Sequence, residues 1–439
     1  MIGPRIRLFI LYGLVFGSTA LTYVISSERD ALLESIEHSR TAPRAANVAL
    51  PVESGELDVP AETLGHLAAL GYAPYASVPG EEKDRSGVVE HEAEAVSGGV
   101  NLVFPEFGCE RIDFMANDGS LLGSIDVSRL PKAECYSVKS VEGGYLFLAR
   151  PNLFRLDGEG QVVWKLVGGF KFHHDFGVDE DRIVALDQRP RTLIHDGVER
   201  SVVDHRLVTI GIDGRVWSIL SLHDLFWPSV LELARSLGVD PFAEDAVERL
   251  GMDKPGDFYH ANSVQILESD SEIGRRGDVL ISLRTLDTIA TIDLVSESIA
   301  WRFSGAGLDH PHHPTLLPDG RILIFDNGWS RDHSRVLELD PATGEIVWQY
   351  QADPPSSFYS KRRGAAYRLP NGNTLITESD RGRAFEVTRS GERVWEYWMP
   401  PSLHRNELLR STLFRLQRIS EEEYAARASD PRVARIRTR

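Results

Sequence analysis

Apolar and polar positions alternate in short runs through most of this chain, and the runs recur in a fixed order. A turn rich in Gly and acidic residues leads into a β-branched or aromatic stretch: EGGYLFLAR (142–150), VDEDRIVALDQ (178–188), GDVLISLRT (277–285), LPDGRILIFDN (317–327) and LPNGNTLITES (369–379). Around these runs, hairpins end on Trp164, Trp217, Trp301, Trp348 and Trp395. Alternation of this length reads as half-buried strands, and the pairs Asp319-Gly320 and Asn371-Gly372 supply the positive φ that tight hairpins need. Trp301, Trp348 and Trp395 are spaced 47 residues apart. A period in this range, with several strands per unit, marks a β-propeller, because one unit cannot bury both its faces alone. A weaker copy precedes the others, GGVNLVFPE (98–106) then RIDFMANDGSLLGSI (111–125), with Leu122 near the tryptophan slot. The pattern predicts an all-β, six-bladed propeller over residues 97–400.

Three segments break the pattern. Trp217 and Trp301 are 84 residues apart, and the excess lies at 221–258. Val230, Leu231, Ala234 and Leu237 there have helical spacing, so a short helical insertion is expected, either beside the binding face or as packing. At the N-terminus, Arg5 and Arg7 precede an uncharged apolar stretch, 8–27, long enough to span a bilayer. The basic flank predicts a single-pass anchor in the cytoplasmic membrane, with the rest of the chain on the periplasmic side. A cleaved signal peptide is the alternative. Residues 28–96 read as a stalk, and 401–439 as a helical C-terminal segment.

Charge narrows the partners. The net charge of −17 argues against a nucleic-acid backbone as ligand. Cys109 and Cys135 flank the first blade and are either a disulfide pair or two buried thiols.

The histidines carry the candidate chemistry. His173 and His174 open HHDF, His260 sits in DFYHANSVQIL, and His310, His312 and His313 lie in DHPHHPTLLPDG. Each group immediately precedes or opens a blade strand. The repeat therefore predicts equivalent positions in three successive blades for His174, His260 and His313, converging on one funnel. Asn262 follows His260, Asp326 and Asn327 end the strand ILIFDN, and Arg331 follows that. A guanidinium with imidazole and amide donors suits a tetrahedral anion. The alternative for Arg331 is a salt bridge to Asp326 or Asp332. Phe172, Phe258, Tyr259, Trp329 and Phe358 are candidate aromatic linings.

The strings HHDF at 173, DFYHANSVQIL at 257, HHPTLLPDGRILIFDNG at 312 and LPNGNTLI at 369 resemble the arylsulfotransferases. These are six-bladed, extracytoplasmic propeller enzymes that move a sulfuryl group between phenols without a nucleotide. The resemblance implies aryl sulfates and phenols as partners, and no cofactor. It implies catalytic roles for His260, His313 and Arg331, and substrate contacts from His174, Asn262, His312 and Asn327. It also implies a sulfohistidine intermediate, for which neutral imidazole is a competent nucleophile. This chain departs from the family in one respect. The family's nucleophile comes from a late blade, and no histidine lies between His333 and His404; Lys361, Arg362 and Arg363 stand in that stretch instead. His404, His260 or His313 could fill the role.

Other classes fit less well. A quinoprotein would show eight blades and adjacent cysteines. A metal on His310, His312 and His313 is disfavoured because Pro311 and Pro314 extend the backbone, so no metal site is expected. A non-catalytic propeller serving as a binding or scaffold subunit of a membrane complex, or as a homo-oligomer, is the remaining alternative.

Overall fold

Among the described residues, six antiparallel sheets of four strands each, or five in the last, succeed one another along the chain, and Tyr75–Ser77, Glu407–Ser411 and Pro401–His404 form a seventh of three strands. The computed structural model describes residues 75–166, 168–404 and 407–428. The expected anchor at 8–27 and the stalk up to residue 74 lie outside the described residues. Among the described residues, no helix is long and apolar enough to cross a membrane.

Blade 1 holds Val100–Val103, Arg111–Met115 and Leu121–Asp126, with Gln417–Ile419 added as its first strand from the far end of the chain. Blade 2 starts at Glu134–Val141, blade 3 at Phe172–Val178, blade 4 at Ala261–Ile266, blade 5 at Pro311–Leu316 and blade 6 at Ala365–Arg368. The first strands of blades 3, 4, 5 and 6 touch in succession, so these strands are innermost.

Each blade interface has its own apolar cluster. Phe114 with Phe147 joins blades 1 and 2, Leu148 with Ile183 joins 2 and 3, and Val184 with Ile281 joins 3 and 4. Ile289 with Ile324 joins 4 and 5, Phe325 with Phe385 joins 5 and 6, and Met115 with Trp395 joins 6 back to 1. The ring is therefore closed, the arrangement of a β-propeller. The repeating tryptophans explain part of the cohesion. Trp164 Nε1 donates to the Ile212 carbonyl, Trp348 to Arg389 and Trp395 to Asn117, in each case a turn of the next blade.

Two expectations are corrected. The segment 401–439 is not simply helical: Pro401–His404, Glu407–Ser411 and Gln417–Ile419 are strands, and helix is confined to Glu421–Ala428. Leu413, Leu416 and Ile419 have helical spacing, but burial at the ring seam and pairing with Val100–Val103 take precedence. The end of the stalk is also part of the fold. Gly87–His91 adds a fifth strand to blade 6, and Tyr75–Ser77 pairs with Glu407–Ser411. Cys109 and Cys135 form a disulfide between blades 1 and 2.

The insertion is helical as expected. Helix α1 (Leu222–Leu237) is capped by Ser221, whose side chain accepts from the Asp224 N–H, and it ends at Gly238 in the left-handed conformation. Leu222, Phe226, Val230 and Ala234, four residues apart, form its buried face, whereas Leu237 is exposed. It packs against the long hairpin of blade 3, Arg182–His195 with Val198–Gly211. A short second helix, α2 (Ala246–Arg249), follows, and the chain then returns toward the first strand of blade 4.

Candidate functional site

The innermost strands of blades 3, 4 and 5 are irregular where their histidines stand. Pairing slips between Phe172 and Phe176, between Ala261 and Ser263, and between His312 and Thr315. His174 (φ 58°), His260 (41°), His310 (60°) and His313 (49°) all occupy the left-handed region. That conformation costs a non-glycine residue about 1–2 kcal/mol, and such strain clusters at functional sites. The bulges also correct the predicted equivalence. Ala261 pairs with Leu283 and Pro311 with Asp326, so His260 matches His310 and Asn262 matches His312. His313 falls one residue further along.

One cavity, open to solvent, gathers His173, His174, His205 and His260. The His174 and His260 rings lie 5.1 Å apart, and His173 and His205 5.0 Å apart. The Nδ1 atoms of His173 and His174 are 2.6 Å apart, so one donates to the other. Asp257 ties two of these rings together. Its Oδ1 accepts from His205 Nε2 at 2.8 Å, and its Oδ2 lies 3.1 Å from His260 Nδ1. Asp253 adds a second carboxylate 3.3 Å from the same His260 nitrogen. Carboxylates only accept, so Nδ1 of His260 carries a proton, and Nε2 is the nitrogen left to the cavity in the neutral tautomer.

Electrostatics keep these groups in distinct states. Burial first, then His205 and His260, holds His173 well below the usual imidazole range. Burial, then His173 and His260, does the same to His174. Burial alone would raise the Asp257 carboxyl, but His260 and His205 outweigh it and hold the group well below the usual carboxylate range.

Arg150, Lys254, Arg362 and Arg363 also line the cavity, with Glu106, Glu134, Tyr136 and Phe414 on the remaining wall. The Tyr136 ring stacks on His174 at 5.4 Å, and Phe414 packs on Tyr136 at 4.6 Å. Asp253, Lys254 and Asp257 come from the end of the helical insertion, which therefore both packs on blade 3 and builds the cavity. The disulfide holds the opposite wall, since Cys135 lies between Glu134 and Tyr136 and its N–H donates to the Glu106 carbonyl.

The remaining expected site residues lie elsewhere or do other work. His313 donates from Nδ1 to the Ala366 carbonyl, packs on Tyr367, and lines a different cavity. His312 is held by Asn327 at 2.7 Å, while its buried Nε2 has no hydrogen-bond partner. Asn262 Nδ2 donates to the Pro311 carbonyl, and Asn327 Nδ2 donates to the carbonyls of Ser360 and Arg363. Both amides are thus cross-blade ties, and Asn327 braces the loop that carries Arg362 and Arg363. Arg331 does not line the imidazole cavity: it donates to Asp326 at 2.8 Å and to the Gly307 carbonyl. Asp326 is fully buried and needs the charge, which is why it captures the guanidinium. His404 ends a strand, and its side chain lies outside the described residues.

Of the expected aromatic lining, Phe172, Phe258, Tyr259 and Phe358 are core residues; Tyr136 and Phe414 hold the cavity instead. His205, Asp253, Asp257 and Arg150 were not legible as site residues. The only sequence signal was the three-residue spacing of Asp257 and His260. A separate cluster, Asp287, Asp309 and His310, has donor atoms close enough for a metal ion, but His310 already contacts Asp309 at 2.9 Å and the Gly251 carbonyl at 3.1 Å.

Fold and cavity together define a β-propeller with an imidazole-rich cavity walled by cations and carboxylates. The chain belongs to the arylsulfotransferase (ASST) family, whose sequence profile matches residues 155–399. No curated protein sequence matches it. Among solved structures it is similar to a protein of unknown function from Bacteroides caccae, at 14% identity and TM-score 0.48, covering 74% of this chain and 100% of that one. It is also similar to virginiamycin B lyase from Staphylococcus aureus, at 11% identity and TM-score 0.41, covering 74% and 98%. A third is AztD from Citrobacter koseri, at 10% identity and TM-score 0.39, covering 74% and 98%.

Proposed function

We propose that this propeller transfers a sulfuryl group from an aryl sulfate to a phenol through His260. The observation that carries the reading is the pair of carboxylates on His260 Nδ1, which selects the tautomer whose Nε2 can attack. In the first half-reaction Nε2 attacks sulfur, the bond from sulfur to the aryl oxygen breaks, and the aryl oxygen departs as the phenolate. In the second, the neutral His173–His174 pair takes the proton of the acceptor phenol as its oxygen attacks sulfur, the N–S bond breaks, and the proton then passes to solvent. Asp257 and Asp253 offset the positive charge on the sulfated imidazole, and Lys254, Arg362 and Arg363 face the sulfuryl oxygens. The neutral state of His173 and His174 suits proton exchange with a phenol. No nucleotide, metal or other cofactor enters this scheme.

The test is transfer from nitrophenyl sulfate to phenol by the purified chain, with mass-spectrometric trapping of the intermediate. Sulfate on His260, and a His260→Ala variant at least about 100-fold slower, are expected. A folded wild-type chain inert toward several aryl sulfates would instead support the scaffold role.

The reading extends to location: residues 8–27 anchor the chain in the cytoplasmic membrane, with the propeller on the periplasmic side. Its support is the basic flank at Arg5 and Arg7 before an uncharged span. Alkaline carbonate washing should leave the chain in the membrane pellet; release with a new N-terminus would mean signal cleavage.

A further inference from the structure

A second cavity follows the innermost strands, and no residue lines both it and the imidazole cavity. Lys139 of blade 2, Asp175 of blade 3, Ser263 of blade 4, His313 of blade 5, Tyr367 of blade 6 and Arg415 beside blade 1 meet around it. This is where the ring converges on its axis. Two of these groups are cations, Lys139 and Arg415, and one is a carboxylate, Asp175. Arg415 is buried and pairs with Asp175 at 2.9 Å, while its Nε has no hydrogen-bond acceptor. The Ser263 hydroxyl is buried and likewise without a partner. The Lys139 ammonium lies 5.1 Å from the Phe176 ring centroid. Glu268, a second carboxylate, also lines the cavity but is exposed, so inside the ring one positive charge and two donors are left over in a polar space. Uncompensated buried charge is costly, and an oxyanion would meet all three needs at once. Burial disfavours the charged lysine; Asp175 offsets part of this and Arg415 adds to it, so the lysine is held below its usual range.

We infer that this axial cavity is a binding site for a small oxyanion, held by Lys139, Arg415 and Ser263 and separate from the transfer cavity. The site is independent of whether the imidazole cavity is catalytic. Its nearness to that cavity makes inorganic sulfate the first probe.

The experiment is titration of the full chain in detergent with sulfate at constant ionic strength, chloride replacing it, followed by calorimetry and by the unfolding midpoint. Wild type should show saturable binding. Lys139→Met should bind at least about tenfold more weakly, and its sulfate-free midpoint should rise, because the unpaired cation is gone. His260→Ala should retain the binding. Ser263→Ala, a smaller change, should weaken it without altering the fold. Absence of saturable binding, or undiminished binding in Lys139→Met, overturns the inference and leaves a water-filled channel. Binding that survives Lys139→Met and disappears in His260→Ala overturns it too, since the ion would then sit in the transfer cavity.

Discussion

The Asp257 carboxylate lies 3.1 Å from Nδ1 of His260 while its other oxygen takes the N–H of His205. One buried carboxylate thus fixes the tautomer of the ring that faces the cavity and anchors a second ring behind it. Asp257→Asn should keep the shape and lose the charge that supports a sulfated imidazole. We expect kcat to fall about 100-fold or more with a much smaller change in KM, read from steady-state transfer between nitrophenyl sulfate and phenol. Equal losses in kcat and in folded fraction would mean that Asp257 is only structural.

Arg331 and Arg362 should separate cleanly. Arg331 is tied to buried Asp326, which also binds Arg335 at 2.7 Å. Arg331→Ala should therefore cost about 1–3 kcal/mol of stability and leave kcat within about threefold, a loss below roughly 0.7 kcal/mol of barrier. Arg362→Ala should lower kcat/KM for the aryl sulfate at least about tenfold, as loss of a charged donor does. Denaturant unfolding and steady-state kinetics on the two variants check both halves.

The pattern of error in reading the chain has physical causes. The tryptophan hairpins were legible because each blade repeats one amphipathic solution, and the tryptophan then reaches into the next blade's turn. The histidine-bearing strands were legible only as far as the strand. A bulge decides which of two adjacent side chains faces the axis cavity, and His312 and His313 part company there. Arg331 stayed open between an anion contact and a salt bridge to Asp326, because sequence does not show that Asp326, five residues earlier, is fully buried. The absence of a late-blade histidine was visible, but not that Arg362 and Arg363 from that stretch reach the cavity. His205 and Asp257 are isolated residues on a hairpin and an insertion, so no repeat marked them.

Acid should destabilise the fold early. His173, His174 and His312 are held well below 6.5 by burial, and His313 is pushed down to about 3. Each binds its proton only in the unfolded chain between its folded value and 6.5. Stability is therefore lost as pH falls through that window, by about 1.4 kcal/mol per pH unit for each such group. Glu378, raised to about 7, and Asp287, raised to about 6, act in the opposite sense above the ordinary carboxylate range. Glu106 and Asp326, also raised by burial, act with these carboxylates, and His223, lowered by burial, acts with the histidines; five histidines against four carboxylates leave a net loss. The denaturant midpoint should drop between pH 6.5 and 4.5, and His313→Gln should flatten the slope by about one proton. A midpoint that is flat over this range would contradict the burial of these imidazoles.

The ring seam sets the last expectation. Trp395 is fully buried where blade 6 meets blade 1, packs with Met115 and Leu416, and donates from Nε1 to the Asn117 carbonyl at 2.8 Å. Trp217 occupies the corresponding slot of blade 3 but is 56% exposed. The repeat treats the two alike, and burial does not. Trp395→Ala removes a large side chain and a buried hydrogen bond together, at about 3–5 kcal/mol, while Trp217→Ala should cost about 1 kcal/mol or less. The seam is also the one interface whose two blades come from opposite ends of the chain, since Gln417–Ile419 completes blade 1. The chain crosses this seam from Gly87–His91 into Val100–Val103 and again from Arg393–Trp398 toward Gln417–Ile419, so a defect there loosens the clasp, and Trp395→Ala should also speed proteolysis within 412–428. Unfolding midpoints and limited proteolysis of the two variants measure this, and equal destabilisation by both would mean that the seam is no weaker than any other blade contact.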